Sequence, residues 1–441
     1  VGLVIVLAVV GALVLRAMTP EERARNTQSA LDTVRQVKAA WIRRRGECAP
    51  FQETLRRRTP RAIVTPALVG ANAALFLAML FSGAFANPDA LVAWGGNFAP
   101  RTTNGEWWRL VTSLVVHVGL FHVVINAFAL VQIGTLLERL AGRAAVASIY
   151  FAAGIFAGLA SVAVRPLGVN VGSSAAIFGL YGMLIATLIW ARLQPPIDRE
   201  DAADPSRIAI PTIAVTRLIG IGVTFALYNL VNDGLPITGE FTGLAVGLVF
   251  GVLLTKGVSE QVVPGRVIAA TMGAAAVAAS AWAFTQRGIA DVRPEIARVV
   301  ATEDRTAKLY KTAFDRFKAN RLSADALAVV IEKTIIPDLQ AADLRLKALH
   351  GVPAEHQPLV ADAEEFVRLR AESWRLRAQG LRMTNGAPRV RSRRNAQPVE
   401  TNPRLQAEAD YRANLMTLGK AEGTERTSLE ILERLKPVEQ K

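Results

Sequence analysis

Long charge-free runs alternate along this chain with short polar connections, a pattern that predicts helices crossing a membrane. A span of the hydrocarbon layer takes about 20 helical residues. Eight runs reach or approach that length: Val1 to Leu15, Ala62 to about Ala86, Leu110 to Leu137, Ala144 to Val164, Val171 to Ala191, Pro211 to Val231, Leu235 to Thr255 and Val267 to Phe284. The first is short and starts at Val, which reads as a truncated span or a signal-like run. Beyond Phe284 charges multiply, and Leu327, Val330, Ile331, Ile335, Leu339, Ala342, Leu346 and Leu349 mark one face of an amphipathic helix. Ser323 is its expected N-cap. Further helices are predicted over residues 358–382 and 404–435, separated by the polar stretch 386–403. The expected organisation is a candidate span at 1–15, a basic cytoplasmic segment at 16–61, a transmembrane core at 62–256, an additional transmembrane helix at 264–286 and a soluble helical domain at 287–441.

Composition narrows this further. With 51% hydrophobic and 20% charged residues and a mean hydropathy of +0.28, a purely soluble or disordered chain is excluded. The net charge of +14 has a topological explanation. Lys and Arg crowd into residues 16–61, 138–143, 192–207 and 256–266, whereas the opposite loops hold only Arg101, Arg109 and Arg165. Basic loops stay on the cytoplasmic side. The loop 87–109, the start of the helix near Val171 and everything after residue 287 are therefore expected outside, with a bacterial plasma membrane as the expected location. No zinc-finger spacing or aromatic-basic reader motif accompanies the charge, so no nucleic-acid partner is expected. Cys48 is the only cysteine, which rules out an intramolecular disulfide. Neither a metal nor a cofactor is expected.

Polar groups inside spans are costly and mark function. Those here are His117, His122 and Asn126, then Ser173 and Ser174, then Arg217, and last Glu240. Asn126 follows His122 by one helical turn, so both face one way. Ser174 is expected about three residues, roughly 5 Å, into a span entered from outside, and Glu240 at a similar depth in its own. Gly239, Gly243, Gly247 and Gly251 recur every four residues, a spacing that lets helix backbones touch. Glu240 lies along the same face. A partner rich in Gly172, Ala175, Ala176, Gly179 and Gly182 is available in the serine helix, and such packing brings Glu240 toward Ser174. Arg217 is expected to snorkel to the cytoplasmic face, and the arginines after 287 to solvate the surface of the helical domain.

The segments Glu106-Trp107-Trp108-Arg109-Leu110, His117-x4-His122-x3-Asn126 and Gly172-Ser173-Ser174-Ala175-Ala176-Ile177-Phe178-Gly179 resemble the rhomboid family of intramembrane serine proteases. The resemblance covers roughly residues 62–285 and implies an all-α polytopic fold: a rhomboid-like six-helix core, one extra span at each end and a soluble helical carboxy-terminal domain. It implies Ser174 as nucleophile, and His122 and Asn126 with the Ser174 backbone N–H as oxyanion donors. Trp107, Trp108 and Arg109 belong to an interfacial loop. Where the family carries its basic histidine, three residues before the first glycine of a Gly-x3-Gly pair, this chain has Glu240; Ala175 stands where Gly is common. A carboxylate is ordinarily a much weaker base than imidazole, and it lacks the neutral-to-cation cycle that returns a proton to a leaving amine.

Two functions follow from the resemblance. One is a serine endopeptidase cutting membrane-spanning protein substrates, with Ser174 and Glu240 as the catalytic pair. The other is a non-catalytic rhomboid-like protein that binds transmembrane helices of client proteins, with an unidentified partner for residues 287–441. A channel or transporter is disfavoured because the polar residues stop in the outer half of the membrane.

Overall fold

The computed structural model describes residues 48–83, 85, 88–193, 210–233, 238–256, 258, 262–385 and 403–439, together with Asp32 and Arg35. The expected span at 1–15 and most of the basic segment 16–61 lie outside the described residues. The chain divides into two compact units, one comprising residues 1–98 and 106–285, the other residues 99–105 and 286–441.

In the first unit seven apolar helices follow one another: α1 (Val64–Phe81), α2 (Leu120–Ala141), α3 (Arg143–Val164), α4 (Ser174–Leu193), α5 (Thr212–Asp233), α6 (Thr238–Leu254) and α7 (Gly265–Thr285). Six are long and apolar enough to cross a membrane, and α6 is a shorter apolar helix of 17 residues. The protein is an all-α polytopic membrane protein. The only strands among the described residues are β1 (Asn97–Phe98) and β2 (Val169–Asn170), which pair antiparallel.

Two helix starts differ from those expected. The run from Leu110 does not enter a span directly: it forms a short turn, Arg109–Thr112, and an irregular segment that buries Leu114, Val116 and His117. α2 begins only after Gly119, whose backbone is extended. Likewise α4 starts at Ser174, because Gly172 adopts φ +109, a conformation that interrupts a helix and favours glycine. Hydropathy alone does not see either break.

α4 is the buried centre of this unit, packed through Ile177, Leu180 and Met183 against Ile133 and Leu137 of α2 and Ile149 and Tyr150 of α3. α6 lies against it backbone to backbone. A Cβ on Gly243 would overlap the Ala175 carbonyl, one on Gly247 the Gly179 carbonyl, and one on Gly182 the Leu244 carbonyl. α5 and α7 are mostly exposed to the surroundings. Arg217 of α5 does not simply reach outward; its guanidinium donates to Gln132 Oε1 of α2 at 2.6 Å.

A carboxylate joins α1 to α2. Glu138, fully buried, accepts the backbone N–H groups of Ile63 (2.6 Å), Val64 (2.8 Å) and Thr65 (2.8 Å). Those amides open α1 and have no partner within their own helix.

In the second unit α8 (Arg293–Lys318) is followed by α9 (Ala324–Val330), a π-helical turn (Ile331–Ile335), α10 (Ile336–Lys347), α11 (Gln357–Asn385) and α12 (Pro403–Glu439). Ser323 caps α9, its hydroxyl accepting the Ala326 N–H at 3.1 Å. The π turn has a cause in Pro337, which cannot donate to the preceding turn and whose ring crowds it. Residues 99–105 belong to this unit: Asn104 Nδ2 donates to the Ile289 carbonyl (2.9 Å) and Thr103 Oγ1 accepts the Ile289 N–H (3.2 Å).

Not every arginine here solvates the surface. Arg370 is 3% exposed, holds Glu303 with two hydrogen bonds (2.9 and 2.6 Å), reaches Glu425 at 2.7 Å and stacks 4.6 Å from the Trp374 ring. Burial acts to raise the Glu425 carboxyl, but Arg370 and Arg377 outweigh it and hold the group below its usual range. A depressed carboxyl stabilises the fold above its unfolded value and loses that contribution as pH falls through the folded one. Arg370→Ala leaves Glu303 buried without its cation and Glu425 with Arg377 alone, and should destabilise this unit by about 3 to 5 kcal/mol. Hydrogen exchange of α8 and α11 in urea would register that loss, and the difference between wild type and variant should shrink as pH is lowered below about 4.

Candidate active site

The site forms where α4 and α6 begin. β2 leads the chain to Gly172, whose backbone comes so close to the His122 ring that a Cβ would lie 2.9 Å from Nε2. The Gly172 N–H is fixed by the Ser113 carbonyl at 2.9 Å. Ser174 follows as the first residue of α4, at the positive end of a helix dipole. Its hydroxyl donates to Glu240 Oε1 at 2.9 Å. Glu240 is the third residue of α6, and the contact exists because Gly243 and Gly247, one and two turns on, allow α6 to lie directly on α4.

Ser174, Glu240 and His122 line one cavity of about 220 Å³, together with Ser161, Asn170 and Gly172. His122 is 9% exposed, and among the described residues its buried Nε2 has no hydrogen-bond partner. That nitrogen and the first-turn amides of α4 are polar groups free to meet a negative charge developing in the cavity.

Asn126 takes another place. It is fully buried and does not line the cavity; its Nδ2 donates to the His122 carbonyl at 2.8 Å and its Oδ1 accepts from Ser173 Oγ at 3.1 Å. Asn72 of α1 joins the same junction, donating to Ser173 Oγ at 3.5 Å, and His117 Nε2 lies 3.4 Å from that oxygen. The Tyr150 hydroxyl of α3 is buried beside them. Asn72 and Tyr150 escape a reading of the sequence because one polar residue on a distant span gives no sign of what it meets.

The loop residues are divided in the same way. Arg109 is 5% exposed, donating to Glu106 Oε2 (2.7 Å), to the Gly96 carbonyl (3.1 Å) and to the Val92 carbonyl. Trp108 lies over its guanidinium and is half exposed. Arg109 thus closes the loop around residues 92–96. Among the described residues no group of three His, Cys, Asp or Glu is arranged to hold a metal ion.

The rhomboid domain family model matches residues 104–257, which contain every residue of this cavity except Asn97. Residues 104–257 are a rhomboid domain. Rhomboid relatives include the rhomboid protease GluP of Bacillus subtilis, 34% identical over 177 residues, or 40% of this chain and 33% of GluP. Rhomboid-like protease 2 of Toxoplasma gondii is 30% identical over 192 residues, 42% of this chain and 62% of that protein. Inactive RHOMBOID-like protein 8 of Arabidopsis thaliana is 39% identical over 94 residues, 21% of this chain and 27% of the relative. The match spans less than two thirds of each. Rhomboid relatives with and without protease names are thus both similar to this chain.

Proposed function

We propose that this protein is an intramembrane serine endopeptidase acting on membrane-spanning protein substrates through a Ser174–Glu240 pair. The observation that carries the reading is the 2.9 Å hydrogen bond in which the Ser174 hydroxyl donates to the Glu240 carboxylate. A serine becomes a nucleophile when an adjacent base takes its proton. As Ser174 Oγ attacks a scissile carbonyl, its proton passes to Glu240 Oε1. The negative charge that forms on the carbonyl oxygen is met by the Ser174 backbone N–H and by His122 Nε2 as an N–H donor. When the C–N bond breaks, the Glu240 carboxylic acid returns the proton to the leaving amine, and an acyl ester remains on Ser174. Water then attacks the ester, giving its proton to Glu240, and the product acid leaves with Ser174 reprotonated. No metal or cofactor takes part.

The same reading sets the orientation. Ser174 and Glu240 face the outer side of a plasma membrane, following the distribution of basic loops. Residues 287–441 are assigned to that side too, by the parity of the spans that precede them.

A second reading rests on Glu240 itself. It stands where the family's basic histidine is expected, and a hydrogen-bonded Ser–Glu pair without turnover would leave a binder of transmembrane helices. The two separate on reconstitution in liposomes with a single-spanning reporter substrate. Endopeptidase activity predicts a cleaved reporter with wild type and an intact one with Ser174→Ala. Equal co-purification of reporter with both proteins, and no cleavage by either, would leave the binder.

A further inference from the structure

We infer that Ser173 is a positioning residue for Ser174, the hydroxyl through which α1 and α2 hold the first turn of α4, and that Asn126 acts through Ser173. The inference rests on the assignment of Ser174 as nucleophile.

Ser173 directly precedes the first residue of α4, where a serine normally turns its hydroxyl back to accept a first-turn N–H of its own helix. Here, among the described residues, no hydrogen bond joins that hydroxyl to the first turn of α4. Ser173 is fully buried, and its Oγ faces other parts of the chain, the Tyr150 hydroxyl of α3 among them. It accepts from Asn72 of α1, donates to Asn126 Oδ1 of α2 and lies beside His117 Nε2.

Two of these neighbours, Asn126 and His117, have their orientation fixed by a further bond. A carbonyl can only accept, so Asn126 must turn its Nδ2 toward the His122 carbonyl and present Oδ1 to Ser173. His117 Nδ1, 3.1 Å from the Val115 carbonyl, must likewise carry the proton, which leaves Nε2 an acceptor. The single hydroxyl proton of Ser173 therefore meets two acceptors, with Asn126 the nearer. This arrangement has two consequences. The residue adjoining Ser174 is tied to two spans, and the first-turn amides of α4 are left uncapped to face the cavity that His122 Nε2 also lines. Asn126, with both ends of its amide engaged outside the cavity, contributes as the anchor of Ser173.

The test measures how fast a fluorophosphonate modifies Ser174 in the full-length protein in detergent. It compares Ser173→Ala, Asn126→Ala and the double variant, each on the wild-type and on the Glu240→His background. Each single substitution should slow modification roughly tenfold, and the double variant should be no slower than the slower single, the non-additivity of residues acting in one chain. Ser173→Thr, which keeps the hydroxyl, should restore most of the rate. Where Ser173→Ala does not fold, Ser173→Cys keeps the volume with weaker hydrogen bonding and enters the same cycle. Multiplicative slowing in the double variant overturns the inference, as does a lowered melting temperature with an unchanged rate. Modification only on the Glu240→His background overturns the carboxylate base while leaving the cycle to decide the role of Ser173. Absence of modification on both backgrounds overturns both.

Discussion

Glu240→Gln is expected to slow modification of Ser174 by a fluorophosphonate by about 10² to 10⁴, the usual contribution of a positioned general base. The substitution suits the question because the amide matches the carboxylate in size and still accepts a hydrogen bond from Ser174 Oγ, where the carboxylate accepts at 2.9 Å. Basicity and charge are removed while the size and the acceptor are kept. Folding of the variant should be unchanged in a thermal melt, so a fall in rate is chemical in origin. The loss corresponds to about 3 to 5 kcal/mol of transition-state stabilisation. Equal rates for wild type and Glu240→Gln would mean that the carboxylate is a bystander, and the hydrogen bond then merely fills the space between two helix starts. Glu240→His supplies the complementary arm, since an imidazole restores the base that the family resemblance calls for.

The second large effect is structural. Gly247→Val should destabilise the first unit by at least about 3 kcal/mol, the upper end for overpacking, and should abolish Ser174 modification with it. An added Cβ at 247 would sit 2.6 Å from Gly179 Cα and overlap the neighbouring carbonyl, so the helices must separate along their length. A flexible side chain could move aside, but backbone cannot. Gly220→Ala is the matched control, because nothing lies within 4 Å of a Cβ there and the change should be close to neutral. Thermal denaturation in detergent ranks the two, and a Gly247→Val variant as stable as wild type would mean that α4 and α6 do not need this contact.

The residues that carry these two predictions were legible in the sequence for a common reason. Glycines at every fourth position declare a face, and Glu240 lies on that face, so a pairing of the seam with the small residues of the serine helix brings Glu240 to Ser174. Pattern was also enough for the seven described apolar helices and for Ser323 as a cap. What stayed hidden depends on contacts between distant positions. Glu138 looks like an ordinary polar helix end until Ile63, Val64 and Thr65 are brought to it. Arg370 sits among many arginines, and only the fold distinguishes the buried one that pairs with two carboxylates. Leu110 to Val118 is apolar enough to belong to a span, yet the extended backbone of Gly119 separates it from α2. Asn126 shows the limit of reasoning by face: the one-turn spacing from His122 is right, but the amide turns to Ser173 and the imidazole lines the cavity.

The clasp at Glu138 bears on how the membrane part is assembled. Three amides at the entrance of α1 converge on one carboxylate near the exit of α2, and Thr59 Oγ1 and Arg143 add bonds to the Arg139 and Arg61 carbonyls beside it. This geometry is reached only when the two spans run antiparallel with their ends level. A pair inserted in the wrong sense, or shifted by a turn, would leave an anion and several amides facing lipid, each at a cost of kilocalories. The clasp needs only α1, α2 and the residues beside them, and among the described residues no part of α4 or α6 contributes a hydrogen bond to it.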